Sequence, residues 1–348
     1  MTPHPPGPTA DRPLKLERIA RLLDERGADR ILLTQPENLA WLLDGARTSV
    51  PLGGPPVFSA TVHRDGEVVV TAPANEADRL AAEEVSGAAI RVVDWFADLT
   101  TPGVLRDTDV VEELRAARAS LLPIERERYA ALGRDAAGAM TAVLREARPE
   151  TTERQLAAAL AAAVIAAGAE PAVLLVAGAE RGGVQHPLPT DAPLGGRAMA
   201  VLTARRHGLN ASLSRWVSFR DPEPDAQRAI REVEADVFAA TRPGRPLQDV
   251  LADIRAAYAR HGFGEDGWLR HHQGGPAGYL GRDPKVAPGA AGAVHAGQAF
   301  AWNPWAPGAK VEDTVVADDG GIEVLTVDPG WPTTDVRGLA RPVDLDLS

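Results

Sequence analysis

The 348-residue chain contains no cysteine, which excludes disulfides, thiolate zinc sites, iron–sulfur clusters and cysteine nucleophiles together. It is also poor in lysine: Lys15, Lys285 and Lys310 are the only three among 37 basic residues. That bias toward arginine, with abundant Ala, Gly and Pro, is the signature of a GC-rich genome. A single arginine therefore carries little information, and a retained lysine carries more. Acidic residues exceed basic ones by 11, and no cluster of basic residues interrupts the excess, so a nucleic-acid partner is not expected. Long apolar runs are missing too. The longest, Leu156 to Ala169, ends at Glu170-Pro171, short of the roughly 20 residues that cross a bilayer. The Pro-rich start, MTPHPPGPTADRP, has no signal-peptide core. The expected location is cytoplasmic, with no membrane partner.

What is present is enough apolar sequence, 45%, to build a core in each of two domains. Residues 1–12 read as a disordered lead-in, 13–118 as a small α/β domain and 119–348 as a larger second domain. In the first, helical spacing runs from Leu14 to Arg26 and stops at Gly27. A strand at Arg30 to Thr34 and a short helix at Pro36 to Leu43 follow. Val57 to His63 and Glu67 to Ala72 flank Asp65-Gly66 as a hairpin.

In the second domain, Pro123 opens a long helix to about Glu146, and Thr152 with Gln155 forms a capping box. Strands are expected at Ala172 to Ala177, Ala198 to Thr203, Ala211 to Phe219, Ala299 to Trp302, Lys310 to Ala317 and Gly321 to Thr326. Helices are expected at Pro224 to Thr241 and Leu247 to His261.

Six of the eight histidines lie beyond residue 180, so imidazole chemistry belongs to the second domain. Three segments stand out: Gln185 to Thr190 around His186; His271-His272-Gln273-Gly274-Gly275; and Trp302-Asn303-Pro304 followed by Gly308-Ala-Lys310-Val-Glu312-Asp313. If Lys310 and Glu312 alternate along a strand they share one face. By the same rule, at most one of His271 and His272 faces a cavity. The serines at 212 and 214 lack a Gly-x-Ser-x-Gly elbow, which argues against a serine nucleophile.

In this order the segments resemble the pita-bread family that includes aminopeptidase P, prolidase, methionine aminopeptidase and creatinase. Pro36 to Gly45 stands in the place of the family's Asn-Leu-x-Tyr-Leu-x-Gly stretch, and Ser214-Arg215 in that of its hairpin Ser/Thr-Arg. The resemblance implies an α/β (α+β) fold, with a small N-terminal creatinase-type α/β domain ahead of a C-terminal pita-bread domain. The family's peptidases hold two divalent metals with two aspartates, a histidine and two glutamates. The matching positions here are Val201, Ser212, one in the strand near Gly275, Asn303 and Glu312, of which only Glu312 is such a ligand. No metal and no other cofactor is therefore expected.

Creatinase is the family's precedent for a metal-free site. By that resemblance His186 is the expected acid/base, Glu312 its charge partner, and one of His271 and His272 a further catalytic group. Lys310, Asn303, Gln273, Arg215, Arg282 and Trp302 are candidate substrate-binding residues. For Arg215, support of the hairpin is the alternative role. In creatinase-like dimers an arginine of the partner's N-terminal domain reaches the site, and Arg47 is the candidate here.

The expected function is metal-independent hydrolysis of a C–N bond, amidino, ureido, amide or dipeptide-like, in a small polar substrate, by a homodimer. The alternatives are an inactive homologue acting as a binding or scaffold protein, a biosynthetic lyase or cyclase, and an Xaa-Pro aminopeptidase-like metallopeptidase if the ligands lie elsewhere.

Overall fold

The computed structural model describes residues 8–348. Of the expected lead-in, residues 1–7 lie outside the described residues. From residue 8 the chain is tied down, contrary to what its proline content suggests. The Thr9 hydroxyl donates to Asp44 Oδ1 at 2.8 Å, and the first helix, Arg12–Arg26, already begins within the segment. The cause is the buried Asp44 carboxylate, which also receives Arg12 and Lys15.

The chain divides into two compact units. The first comprises residues up to Arg128 together with His207–Leu209. Its sheet has the order Ala89–Val93, Val68–Pro73, Ser59–His63, Arg30–Leu33, Leu105–Arg106. The inner pairings are antiparallel and the two outer ones parallel. The predicted hairpin closes at Asp65-Gly66, where Gly66 takes a φ of +92° that other residues resist. Ile19, Leu22 and Leu23, on one face of the first helix, are buried. The helices Ala74–Arg79 and Val111–Ala119 and the strand Ala89–Val93 were not expected. Such short elements depend on tertiary packing more than on local pattern.

The second unit, Tyr129–Arg206 with Asn210–Ser348, is built on two four-stranded sheets. One has the order Leu345–Asp346, Leu209–Ser218, Arg197–Arg206, Glu170–Ala177. The other has the order Gly321–Val324, Asp313–Asp318, Gln298–Trp302, Gly274–Pro276, antiparallel throughout. Helices Asp225–Ala240 and Leu247–Arg260 supply Ile230, Val233, Val250 and Ile254 to a core completed by Phe300, Trp302 and Val315. The capping box forms as its residues require: Gln155 N donates to Thr152 Oγ1 at 3.1 Å, and Thr152 N donates back to Gln155 Oε1 at 2.9 Å.

The expected strand Lys310 to Ala317 is broken. Ala309–Lys310 pairs with Trp305–Ala306 around Gly308, and the second piece begins at Asp313. Val311 and Glu312 leave the ladder between them.

Candidate active site

His186 sits on the loop between the strands Glu170–Ala177 and Arg197–Arg206. The loop is held by Glu153, the first residue of the capped helix, whose side chain is fully buried. Glu153 accepts from Gly178 N at 2.8 Å with one oxygen, and from Thr190 N at 2.9 Å and Thr190 Oγ1 at 2.7 Å with the other. Arg181 completes the clamp. Sequence reading missed Glu153. Its only signal was an acidic residue directly after an N-cap, which is ordinarily a surface position.

The rings of His271 and His272 lie beside that of His186. The ring of His186 lies 4.9 Å from that of His271 and 5.6 Å from that of His272, and the two neighbouring rings stack 4.5 Å apart. The expectation that only one of the pair faces the site is therefore wrong. The pair precedes the strand Gly274–Pro276 and follows the turn Gly267–Arg270, so strand alternation does not apply to it. Gln273 fixes this bend by donating from Nε2 to Trp268 O at 2.8 Å and His271 O at 2.7 Å. Through its Nε2 it positions the histidines.

All three imidazoles are pushed toward the neutral form. Burial lowers His271 to about 3, with Lys310 and His272 adding to it. Burial and then Arg282 lower His272 to about 4. His186, the exposed member, is lowered by partial burial and then by Lys310 and Lys285.

Lys310 and Glu312 do come together as expected, although not on one continuous strand. Lys310 Nζ lies 3.1 Å from Glu312 Oε2. Arg282 takes the other oxygen at 2.6 Å. Burial alone would raise Glu312, but the two cations outweigh it and hold its pKa at about 2. The Lys310 main chain is pinned as well: its N–H donates to Gln227 Oε1 at 3.0 Å, and its carbonyl accepts from Trp216 Nε1 at 3.0 Å. Glu312 is in contact with Lys310 and Arg282, and it also favours the charged form of His186, against the two lysines. Lys310 and Arg282 are committed to Glu312 where substrate contacts were expected.

Other candidates fall elsewhere. Trp302 is fully buried in the apolar core and stacks on Phe300, so it is a packing residue. Arg215 is buried and donates to Asp313 Oδ1 at 2.9 Å and Thr326 O at 2.8 Å. It takes the structural alternative, within a buried network in which Arg341 bridges Asp313 and Glu234. Asn303 is buried, its N–H donates to Gln273 O at 3.0 Å, and its Oδ1 has no hydrogen-bond partner. Arg47, in the first unit, is paired with Glu83 and Glu84.

The residues do not fit the dinuclear centre of the pita-bread peptidases. Val201 lies in an apolar cluster with Met199, Leu175, Ala177 and Trp216. Ser212 Oγ is paired with Thr203 Oγ1 at 2.9 Å. A side chain at Gly275 has no room, because its Cβ would meet Pro284 O at 2.5 Å. Glu312, the single carboxylate, is already neutralised. Two divalent ions need several bridging and terminal anions, and this set provides none to spare.

Comparison with known proteins agrees with this architecture. The sequence profile of metallopeptidase family M24 matches residues 127–319, more than half of the chain. Among solved structures, the prolidase from Pyrococcus horikoshii OT3 has a TM-score of 0.75 at 18% identity, covering 90% of this chain and 98% of that one. The Xaa-Pro dipeptidase from Bacillus anthracis has a TM-score of 0.75 at 16% identity, covering 97% and 100%. The dipeptidase PepE from Mycobacterium ulcerans has a TM-score of 0.72 at 21% identity, covering 92% and 97%. At these identities the likeness is one of fold. No curated protein sequence matches significantly. Among the described residues no helix is long and apolar enough to cross a membrane. By its profile and its pita-bread fold, the chain belongs to metallopeptidase family M24.

Proposed function

We propose that the protein is a hydrolase that cleaves a C–N bond of a small polar substrate, amidino, ureido, amide or dipeptide-like, without the family's dinuclear metal centre. The observation that carries this reading is the placement of His186: an exposed, neutral imidazole against the buried His271 and the half-buried His272, beside a buried ion cluster. A neutral imidazole accepts a proton from attacking water near pH 7 and returns it to the leaving nitrogen. Two cations against one carboxylate give the cluster of Lys310, Arg282 and Glu312 a net positive charge, which favours negative charge developing on a tetrahedral intermediate. His271 and His272 back the ring of His186, and Asn303 offers an unpaired buried amide oxygen.

The test is His186→Ala assayed on small amidino, ureido, amide and dipeptide compounds. Because His186 is exposed, its removal leaves folding intact. Loss of the proton-transfer group lowers turnover about 10²–10⁴-fold, and an unchanged rate sinks the assignment. A second reading is favoured by one specific observation: Lys310 and Arg282 both pair with Glu312, as in a site that binds without reacting. Calorimetric binding of such compounds with no product formed would support it.

A further inference from the structure

We infer that His186, His271 and His272 form a binding site for one divalent transition-metal ion of borderline softness, with Zn²⁺ the best-suited ion. The site shares no residue with the family's dinuclear centre.

The geometry comes first. One ligand nitrogen from each ring lies within 4.8 Å of the others. A tetrahedral zinc with Zn–N bonds of about 2.1 Å separates its nitrogens by about 3.4 Å, so the rings close by little more than an ångström. His186, exposed on its loop, can supply that movement, whereas His271 is buried and fixed.

The hydrogen bonding is the independent observation. His271 Nδ1 contacts the carbonyl of His272 at 2.6 Å. A carbonyl only accepts, so Nδ1 carries the proton and Nε2 carries the lone pair. That Nε2 is buried and has no hydrogen-bond partner, and neither does the buried Nδ1 of His272. Buried polar atoms are ordinarily paired, and two orphans in one three-histidine cluster point to an absent common partner. A ring N–H anchored on a main-chain carbonyl is also how metal-ligating histidines are oriented. Gln273, which holds the carbonyl of His271, braces the same bend.

The donor set decides which ion. Imidazoles without a carboxylate suit Zn²⁺, Cu²⁺, Ni²⁺ and Co²⁺, and do not suit Mg²⁺, Ca²⁺ or Mn²⁺. The exposed side at His186 leaves a position for water. Electrostatics work against tightness. Lys310, Arg282 and Lys285 disfavour positive charge at the histidines while Glu312 opposes them, so binding weaker than that of structural zinc sites is expected. A bound ion occupies His186, so zinc should inhibit turnover. That consequence rests on the acid/base reading, but the site itself does not.

The experiment is calorimetric titration of chelator-treated, full-length protein with Zn²⁺, with visible d–d absorption on Co²⁺ as a second readout. One ion per chain is expected. Affinity should fall about 100-fold in His271→Ala and in His272→Ala. Should the His271 or the His272 variant misfold, His186→Gln provides the same test at an exposed position, and zinc should raise the Tm of the parent but not of this variant. No binding at millimolar zinc, equal binding in the parent and His186→Gln, or two Mn²⁺ bound per chain would each overturn the proposal. If zinc fails to bind while turnover still depends on His186, the metal site falls and the acid/base reading stands. Zinc binding with no turnover on any compound gives the reverse.

Discussion

Lys310 Nζ lies 3.1 Å from Glu312 Oε2, and both side chains are almost wholly removed from water. With Arg282 on the other oxygen, the carboxylate that matches a family metal ligand is held by the chain's own cations. Removing the carboxylate should therefore cost more than removing one cation. Glu312→Gln leaves two buried positive charges without a counterion and should destabilise by about 3–5 kcal/mol. Lys310→Met leaves Arg282 in place and should cost about 2–3 kcal/mol. Denaturant unfolding of the two variants and of the double variant checks the order and the coupling. Equal, near-zero losses would show that the cluster is hydrated and not structural.

Acid should destabilise the protein early. In the unfolded chain His271 and His272 bind protons below their usual 6.5, but in the fold they resist until about 3 and about 4. Between those limits the unfolded state holds more protons, so stability falls as pH drops, by up to about 1.4 kcal/mol per pH unit for each histidine. Glu312 acts in the same direction over a lower range: its stabilisation is complete above its usual 4.5 and is lost as pH falls toward about 2. Chemical unfolding from neutral pH down to about 4 should show this slope. A flat profile would mean that the histidines take up protons as readily in the fold as in the unfolded chain.

Gly275 should not tolerate a side chain. It has a φ of +147°, and a Cβ there would come within 2.5 Å of Pro284 O. Gly275→Ala should cost about 2–4 kcal/mol through strain and main-chain displacement. A variant of parental stability would show that the strand and the segment after Arg282 can separate, which would reopen the position to a ligand histidine.

Most of the second unit was legible because its helices are strongly periodic and its strands are bounded by Gly and Pro. Thr152 and Gln155 announced their helix, and Pro224 and Leu247 opened amphipathic runs close to the observed Asp225–Ala240 and Leu247–Arg260. The proximity of Lys310 and Glu312 was legible from their spacing, but Arg282 as their third member was not. Pairing across distant segments leaves no local pattern, and in an arginine-rich chain one arginine looks like another. The same holds for Arg341, which joins Asp313 to Glu234. The adjacent histidines were misread because strand alternation was applied to residues that precede the strand. Trp302 ends the strand Gln298–Trp302 with its ring stacked on Phe300, and which face of that strand meets the core is set by packing that the local sequence does not show.

The most direct measurement is the divalent-metal stoichiometry of the intact protein by native mass spectrometry, after incubation with Zn²⁺ and separately with Mn²⁺. The account predicts no more than one ion per chain, zinc and not manganese, with the zinc lost in His186→Gln. Two manganese ions per chain, retained in that variant, would contradict it and return the chain to the two-metal chemistry of its family.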